Sequence, residues 1–301
     1  MTKARVGIIG GSGIYQMNGL LETREVNVET PFGNPSDSIV LGKYSGTEVA
    51  FLPRHGRGHF FTPGEIPVQA NIYALKALGV KQIISISAVG SLSETIHPLD
   101  MIIPDQVVDR TKNRVSTFFG DGIVAHVSLA DPFCKRLSTQ VVDAVKHVGA
   151  TAHDGGTYIV IEGPAFSTRA ESRLYQSWGG SVIGMTALPE AKLAREAQMC
   201  YALLACVTDY DVWNDEADDV STESVVLNLS RNASMSQAIL RQLLPSLGES
   251  QECPCPDALQ GSIATEHERI PQETLLKLWP ILKGRVNVPS PETTDGHASE
   301  L

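Results

Sequence analysis

The sequence is poor in positive charge. Its 24 lysines and arginines stand against 34 aspartates and glutamates, which gives a formal net charge of −10 at pH 7. Proteins that bind nucleic acid carry a basic stripe or patch, because most of the affinity comes from neutralising phosphates. The charge balance therefore argues against a nucleic-acid partner.

Long apolar runs are also missing. No stretch reaches the roughly 18–20 apolar residues that a transmembrane helix needs, so we expect no membrane partner. The N-terminal residues Met1 to Arg5 lead directly into a strand-like run, without the apolar region and cleavage site of a secretory signal. We therefore expect a cytoplasmic protein.

Cysteine is scarce. The chain has five cysteines, an odd number, and no spacing between them matches a usual metal motif. In a cytoplasmic protein we expect free thiols rather than disulfides. From spacing alone we predict no metal site.

What the sequence does contain is an ordinary globular composition. Of its 301 residues 42% are hydrophobic and 19% charged, enough to bury a full core. Strand-like apolar runs and amphipathic segments predict an α/β fold, with one domain over 1–285 and a polar, disordered tail over 286–301. The predicted strands are Arg5–Ile9, Ser38–Leu41, Val49–Leu52, Gln82–Ser87, Met101–Pro104, Gln106–Arg110, Gly156–Ile161, Ser181–Thr186 and Tyr201–Val207. The predicted helices are 66–78, 134–148, 168–178, 189–197, 221–244 and 273–283.

The most informative stretch is 203–213, where an apolar run ends in Asp209 and Asp211. In open α/β sheets ligands lie at the carboxyl ends of strands, and side chains at i and i+2 point the same way. Two carboxylates in a partly apolar pocket push one pKa upward, so the protonated member can donate a hydrogen bond. This pair suits adenine, which presents a donor at N6 and an acceptor at N7. On these residues alone, an acidic loop after a core strand is the alternative.

Other predicted strands end in residues suited to an anion. The loop at 10–13 reads Gly-Gly-Ser-Gly, which can hold phosphate through backbone N–H groups and a hydroxyl, or can be a tight turn with no ligand. Gln16 replaces the third glycine of the dinucleotide fingerprint. Arg54 and His55 follow another strand, and arginine binds phosphate oxygens in a fork. His55 and His59 leave a metal site as the less favoured alternative.

Seven motifs occur in order along the chain: VGIIGGSGIY at 6–15, RHGRGH at 54–59, SAVGSL at 87–92, ADPFC at 130–134, IEGPAFSTRAES at 161–172, VIGMTALPE at 182–190 and VTDYDVW at 207–213. In this combination the chain resembles the 5′-methylthioadenosine phosphorylases, within the trimeric purine nucleoside phosphorylase family. The resemblance runs from about Val6 to Leu282. It implies a single-domain mixed β-sheet flanked by helices, and a homotrimer.

The resemblance also implies a role for individual residues, position by position. It implies a phosphate site of Ser12, Arg54, His55, Ser87, Thr186 and the backbone N–H of Ala88. It implies contacts to the nucleoside from Phe166, Ser167, Met185, Asp209, Tyr210 and Asp211, with Met185 against the ribose. It implies a 5′ pocket lined by Thr222, Val225 and Val226, into which His126 reaches from a neighbouring subunit. Of these residues, Ser167 and Thr222 are the ones expected to set substrate specificity.

The sequence departs from these relatives at several places. Gly184 stands where adenosine-type relatives usually have Asn, and Gly is what the guanine-type relatives show. Thr222 is less apolar than the Val seen in relatives, and Val89 replaces a smaller or sulfur-bearing residue. The run Cys253-Pro254-Cys255 occurs in some relatives, where a strained disulfide is one interpretation.

The reaction that the resemblance implies is phosphorolysis of 5′-methylthioadenosine. Inorganic phosphate is the co-substrate, and no metal or organic cofactor is expected. A 6-oxopurine nucleoside phosphorylase or a methylthioinosine phosphorylase would have to bind an accepting O6, for which Asn is expected near position 209. A broader adenosine phosphorylase also stays open. The alternative from another class is a catalytically silent nucleoside-binding protein, which is expected to lack Ser12, Arg54 and His55.

Overall fold

The computed structural model describes residues 4–214, 222–248 and 252–286, and within them eleven strands form one mixed sheet. The strands are β1 Val6–Gly10, β2 Leu21–Val26, β3 Ile39–Tyr44, β4 Thr47–Pro53, β5 Gln82–Ser91, β6 Met101–Ile103, β7 Gln106–Arg110, β8 Ala152–Asp154, β9 Thr157–Ile161, β10 Gly180–Gly184 and β11 Cys200–Tyr210. The helices are α1 Val68–Ala77, α2 Lys135–His147, α3 Arg169–Ser177, α4 Ala187–Glu196, α5 Thr222–Leu243, α6 Gln272–Lys277 and α7 Trp279–Leu282. Three short 3₁₀ turns lie at Leu244–Ser246, Cys255–Asp257 and His267–Arg269.

The sheet branches at β5. One path runs in the order β2-β3-β4-β1-β5-β10-β9-β7, and β11 pairs with β5 as well, with β6 and then β8 beyond it. Strands β4, β1, β5 and β11 are mutually parallel neighbours, whereas β10 meets the end of β5 antiparallel. The carboxyl ends of the four parallel strands therefore lie along one edge of the sheet.

Helices cover both faces of the central strands. Ile83 and Leu203 pack in the cluster that includes α1, α4 and α7, while their neighbours Ile84 and Leu204 pack in the cluster with α2 and α5. This alternation is the two-residue period of an extended chain. It explains why β5 and β11 read as continuous apolar runs, since a strand covered on both sides needs apolar residues at every position.

Most of the predicted elements are confirmed, with their ends displaced by a few residues. The predicted end of a strand at Ser87 is wrong, because β5 continues to Ser91 along its partner β11, which itself runs on to Tyr210. The single predicted helix over 273–283 is two helices, which meet at Leu278. Two strands were missed, β2 and β8, and β2 escaped because its residues LETREV are almost all exposed and carry no apolar alternation.

Among the described residues, no helix is both long enough and apolar enough to cross a bilayer. The predicted tail, apart from Val286, lies outside the described residues.

Candidate active site

The predicted site residues come together where the parallel strands end. Gly10 of β1 pairs with Pro53 of β4, which places the Ser12 loop beside Arg54. On the other side of β1, Gly90 of β5 pairs with Asp209 of β11. Strand β10 enters antiparallel, so the chain after Gly184 also reaches this edge. The edge thus gathers five of the seven motifs.

The glycine loop after β1 is packed so tightly that side chains are excluded. A Cβ on Gly11 would overlap the carbonyl of Ile86 and lie 2.7 Å from Nη1 of Arg54. Ser12 and Ala88 line a small cavity of about 10 Å³ that α5 covers with Leu229 and Asn232. The loop is therefore held against β5 at a distance only glycine permits.

Arg54 is buried in an ion pair that the sequence did not indicate. Its guanidinium donates from Nε to Glu190 Oε1 at 2.5 Å and from Nη2 to Glu190 Oε2 at 3.2 Å. Nη1 donates to the Ile86 carbonyl and Nη2 to the Ser85 hydroxyl. Arg54 and Glu190 are each 1% exposed. Four of the five guanidinium N–H groups thus have protein acceptors, and one on Nη1, beside Gly11, remains.

His55 is buried next to this charge. Burial and the neighbouring Arg54 guanidinium lower the pKa of His55 to about 4, so the imidazole is neutral at pH 7. Its Nδ1 lies 2.8 Å from the carbonyl of Phe61, and since a carbonyl only accepts, Nδ1 carries the proton. Nε2 therefore presents a lone pair. The ring stacks on His59 with the centroids 4.3 Å apart.

Three hydroxyls cluster between β5, β9 and the turn after β10. Ser87 Oγ lies 3.2 Å from Thr186 Oγ1 and 3.3 Å from the Tyr158 hydroxyl. A Cβ on Gly184 would overlap that same Tyr158 hydroxyl. Glycine at 184 is therefore required by the tyrosine packed against it, whichever ligand the site binds.

The two acidic residues at the end of β11 face Gly90 together. A Cβ on Gly90 would lie 3.5 Å from Asp211 Cβ and 3.7 Å from Asp209 Oδ2. The pairing register shifts between Val207 and Asp209, so Thr208 is an extra residue in the strand. The Thr208 hydroxyl donates to Asp209 Oδ1, and the buried Ser172 hydroxyl donates to Asp211 Oδ2.

Burial dominates the electrostatics of these carboxyls. It raises the pKa of Asp209 to about 6, with the Thr208 hydrogen bond working against it and the nearby Asp211 adding to it. Burial also raises the pKa of Asp211, and the hydrogen bond from Ser172 opposes that rise. A carboxyl with a pKa near 6 can both hold and release a proton near neutral pH.

Two asparagines one turn apart on α5 fix the end of β11. Asn228 Nδ2 donates to the Thr208 carbonyl at 2.8 Å, and Asn232 Nδ2 donates to the Val207 carbonyl at 2.9 Å. These bonds satisfy carbonyls at the register shift, where the strand ladder is disrupted. Sequence reasoning missed both residues, although their i, i+4 spacing on a predicted helix was a usable signal.

The remaining predicted contacts to the nucleoside occupy different surroundings. The hydroxyl of Ser167 is buried and has no partner among the described residues, while the neighbouring Phe166 is 81% exposed. Met185 packs against Gly163, and its carbonyl accepts from the buried Arg114 at 2.6 Å. Arg114 was not singled out from the sequence.

Within one chain, three further residues that were predicted to contact the substrate do not lie with the Asp209 and Asp211 carboxyls. Tyr210 stacks edge-on against His97 and Trp213. His126 is exposed, and Val226 is 59% exposed. The side chains of Thr222 and Val225 lie outside the described residues, although the backbone of Thr222 begins α5.

Comparison with known proteins decides the family. The sequence profile of the phosphorylase superfamily matches residues 5–245. This chain belongs to the phosphorylase superfamily.

Several similar proteins are named as methylthioadenosine phosphorylases. An S-methyl-5′-thioadenosine phosphorylase of Geobacter sulfurreducens is 52% identical over 274 residues, which cover 91% of this chain and 96% of the relative. A methylthioadenosine phosphorylase structure from an antarctic soil metagenomic library is 50% identical, with a TM-score of 0.89 over 93% of this chain and 100% of that one. The Schistosoma mansoni methylthioadenosine phosphorylase, in complex with adenine, is 34% identical with a TM-score of 0.80 over 86% of this chain and 97% of that one.

Proposed function

We propose that this protein catalyses the phosphorolysis of 5′-methylthioadenosine to adenine and 5-methylthioribose 1-phosphate. Relatives about half identical over more than nine-tenths of this chain carry the name of this activity. The observation that carries the proposal is the half-buried Asp209 at the carboxyl end of β11, with its pKa raised into the range of a general acid.

The chemistry sets two demands on the site. The bond between C1′ and N9 breaks as positive charge develops on the sugar, so adenine must leave with its growing negative charge stabilised. Phosphate must wait on the opposite face of the sugar as the nucleophile. Positioning and fixed electrostatics supply most of such a rate enhancement.

Asp209 serves the leaving adenine. The Thr208 hydroxyl takes one lone pair of Oδ1, so both carboxyl oxygens can still reach the base, with Oδ2 on the Gly90 side. Protonated Asp209 donates to N7, while Asp211, held by Ser172, accepts from the amino group at N6 together with Asp209. The Ser167 hydroxyl, which has no partner in the described part of the chain, gives the base edge a further hydrogen-bonding group.

Phosphate binds at the hydroxyl cluster. Ser12, Ser87 and Thr186 donate through their hydroxyls, Ala88 donates its backbone N–H, and the remaining Nη1 proton of Arg54 points along the Gly11 loop. Neutral His55 accepts a hydrogen bond at Nε2 from a protonated phosphate oxygen. Arg54 therefore has two roles: it fixes Ser85, Ile86 and the loop through its bonds, and it offers phosphate one charge-assisted N–H.

The reaction needs no metal or organic cofactor, and the protein acts in the cytoplasm. Gly184 no longer favours the 6-oxopurine alternative, because the Tyr158 hydroxyl leaves no room for a side chain at position 184. Its other requirement, an amide at position 209, is not met.

The protein acts as a homotrimer in which His126 completes a neighbour's 5′ pocket. Sedimentation is expected to give about three times 32.4 kDa. His126→Ala is expected to raise KM for methylthioadenosine while leaving the trimer intact, and His147→Ala, at the exposed end of α2, is expected to leave KM unchanged. A fully active monomer would rule out the shared pocket.

The pH dependence tests Asp209 as the acid. Because the reaction needs protonated Asp209, kcat/KM at saturating phosphate is expected to fall as the pH rises through about 6. Thr208→Val removes a hydrogen bond that lowers this pKa and is expected to move the falling limb to higher pH. Asp211→Asn removes a charge that raises it and is expected to move the limb to lower pH. A limb that stays in place in both variants belongs to another group.

The identity of the sugar product separates phosphorolysis from hydrolysis. With methylthioadenosine and phosphate, phosphorus NMR is expected to show a sugar 1-phosphate ester formed in equal amount to the adenine released. If adenine is released while inorganic phosphate is not consumed, water is the nucleophile and the proposal is overturned.

A further inference from the structure

Four of the five cysteines meet at one point, although they come from three separate parts of the chain. Cys134 is the residue before α2, Cys200 is the first residue of β11, and Cys253 and Cys255 stand in the turn that begins the last described segment. Their sulfur atoms all lie within 4.8 Å of one another. All four thiols are free, and three of the four residues are buried.

The arrangement matches a closed metal site. A tetrahedral zinc ion with Zn–S bonds of about 2.3 Å places its sulfurs about 3.8 Å apart. Here the sulfurs of Cys200 and Cys253 are 3.4 Å apart, too far for a disulfide bond of about 2.0 Å. We propose that Cys134, Cys200, Cys253 and Cys255 bind a single structural zinc ion.

The surroundings carry the charge compensation that four thiolates need. Arg136 donates from Nη2 toward Cys200 Sγ at 3.7 Å, and its Nε is buried with no acceptor among the described residues. Cys134 stands at the amino end of α2, where the helix dipole favours a negatively charged thiolate. An ion with four thiolates carries a net charge of −2, which the guanidinium and the helix terminus offset.

The role of this ion is structural rather than catalytic. Four protein sulfurs fill a tetrahedral zinc and leave no position for water or substrate. Cys200 begins β11 and Asp209 lies near its end, so the cluster and the base site are roughly 30 Å apart at opposite edges of the sheet. The ion ties the start of the 252–286 segment to α2 and β11. Its binding releases the four thiol protons to solvent, because zinc binds thiolates.

Spacing along the chain hides this site. Two of the ligands form a Cys-Pro-Cys unit, but the other two stand alone at positions 134 and 200. Only the fold, which sets the start of β11 against α2 and the C-terminal segment, brings them together. The expectation of no metal site rested on spacing and could not detect such a cluster.

Metal analysis of the full chain tests the proposal. The protein is purified under a non-coordinating reductant with zinc supplied, and zinc per chain is measured by mass spectrometry after exhaustive dialysis. We expect one zinc per chain in the wild type and in Cys206→Ser, whose thiol lies apart from the cluster against Ser236. We expect Cys200→Ser and Cys253→Ser to lose the zinc and to unfold at lower temperature.

Cobalt substitution of the wild type keeps the test independent of whether the variants fold. The expected result is the intense visible absorption of tetrahedral cobalt(II) bound by thiolates. Folded, fully reduced wild-type protein that holds neither ion would overturn the proposal. Two disulfide bonds among these four cysteines would also overturn it. They would be detected as an intact mass lower than that of the reduced chain by two hydrogens for each disulfide.

Discussion

Asp209→Asn is expected to lower kcat/KM for methylthioadenosine by roughly 10⁴-fold, because a site built around a specific hydrogen-bonding pattern rejects a mismatch that strongly. The amide keeps the size and shape of the carboxyl. It loses the proton that Asp209, with a pKa raised to about 6, gives to the leaving base. It also loses an acceptor for the N6 amino group. Steady-state kinetics with each substrate varied at saturating phosphate measure the loss.

The same variant is expected to lose less activity on inosine, or even to gain from a low starting value, because an amide donates to O6. Asp211→Asn and Ser172→Ala are the matched comparisons, since Ser172 acts only by holding Asp211. Both are expected to cost less than Asp209→Asn. Equal losses on both purines in Asp209→Asn would show that Asp209 holds the strand end instead of distinguishing the base.

Arg54→Ala is expected to lower the free energy of unfolding by about 3–5 kcal/mol, because it leaves the buried Glu190 carboxylate without its partner. Urea unfolding followed by circular dichroism measures the change. Arg57→Ala is the control: Arg57 pairs with Glu25 and Asp37, but its side chain is 39% exposed. Ion pairs at that exposure contribute about 1 kcal/mol or less, so we expect a small loss there.

The double variant Arg54→Met with Glu190→Leu separates stability from phosphate binding. Removing both charges is expected to recover much of the lost stability, since no buried carboxylate is left unpaired. Its KM for phosphate is expected to stay raised by roughly tenfold or more, because the charge-assisted contact is gone. A double variant as unstable as Arg54→Ala would mean that the pair is not what holds this region together.

Most strands and helices could be predicted from the sequence, because apolar runs and strand-end motifs are local signals. Asp209 was placed at a strand end and found there, and β5 and β11 read as buried because both faces are covered. Edge strand β2 was missed, because a largely exposed strand needs no apolar alternation.

The site was harder to predict because its partners lie far apart in the chain. Arg54 and Glu190 are 136 positions apart in the chain. Ser172, which donates to Asp211, lies on α3, whereas Asp211 follows β11. The register shift at Thr208, which aims both carboxylates at Gly90, depends on how β11 pairs with β5. No pattern within the strand itself reveals such a shift. The cluster of four cysteines was also not predicted, because their spacing in the chain does not indicate that their sulfur atoms lie close together.

Release of free base from methylthioadenosine, adenosine and inosine, measured side by side with and without phosphate, tests the proposed activity most directly. We expect release that requires phosphate and is fastest with methylthioadenosine, slower with adenosine and slowest with inosine. Release that proceeds without phosphate, or that favours inosine, would contradict the assignment of this site to 6-amino purine phosphorolysis.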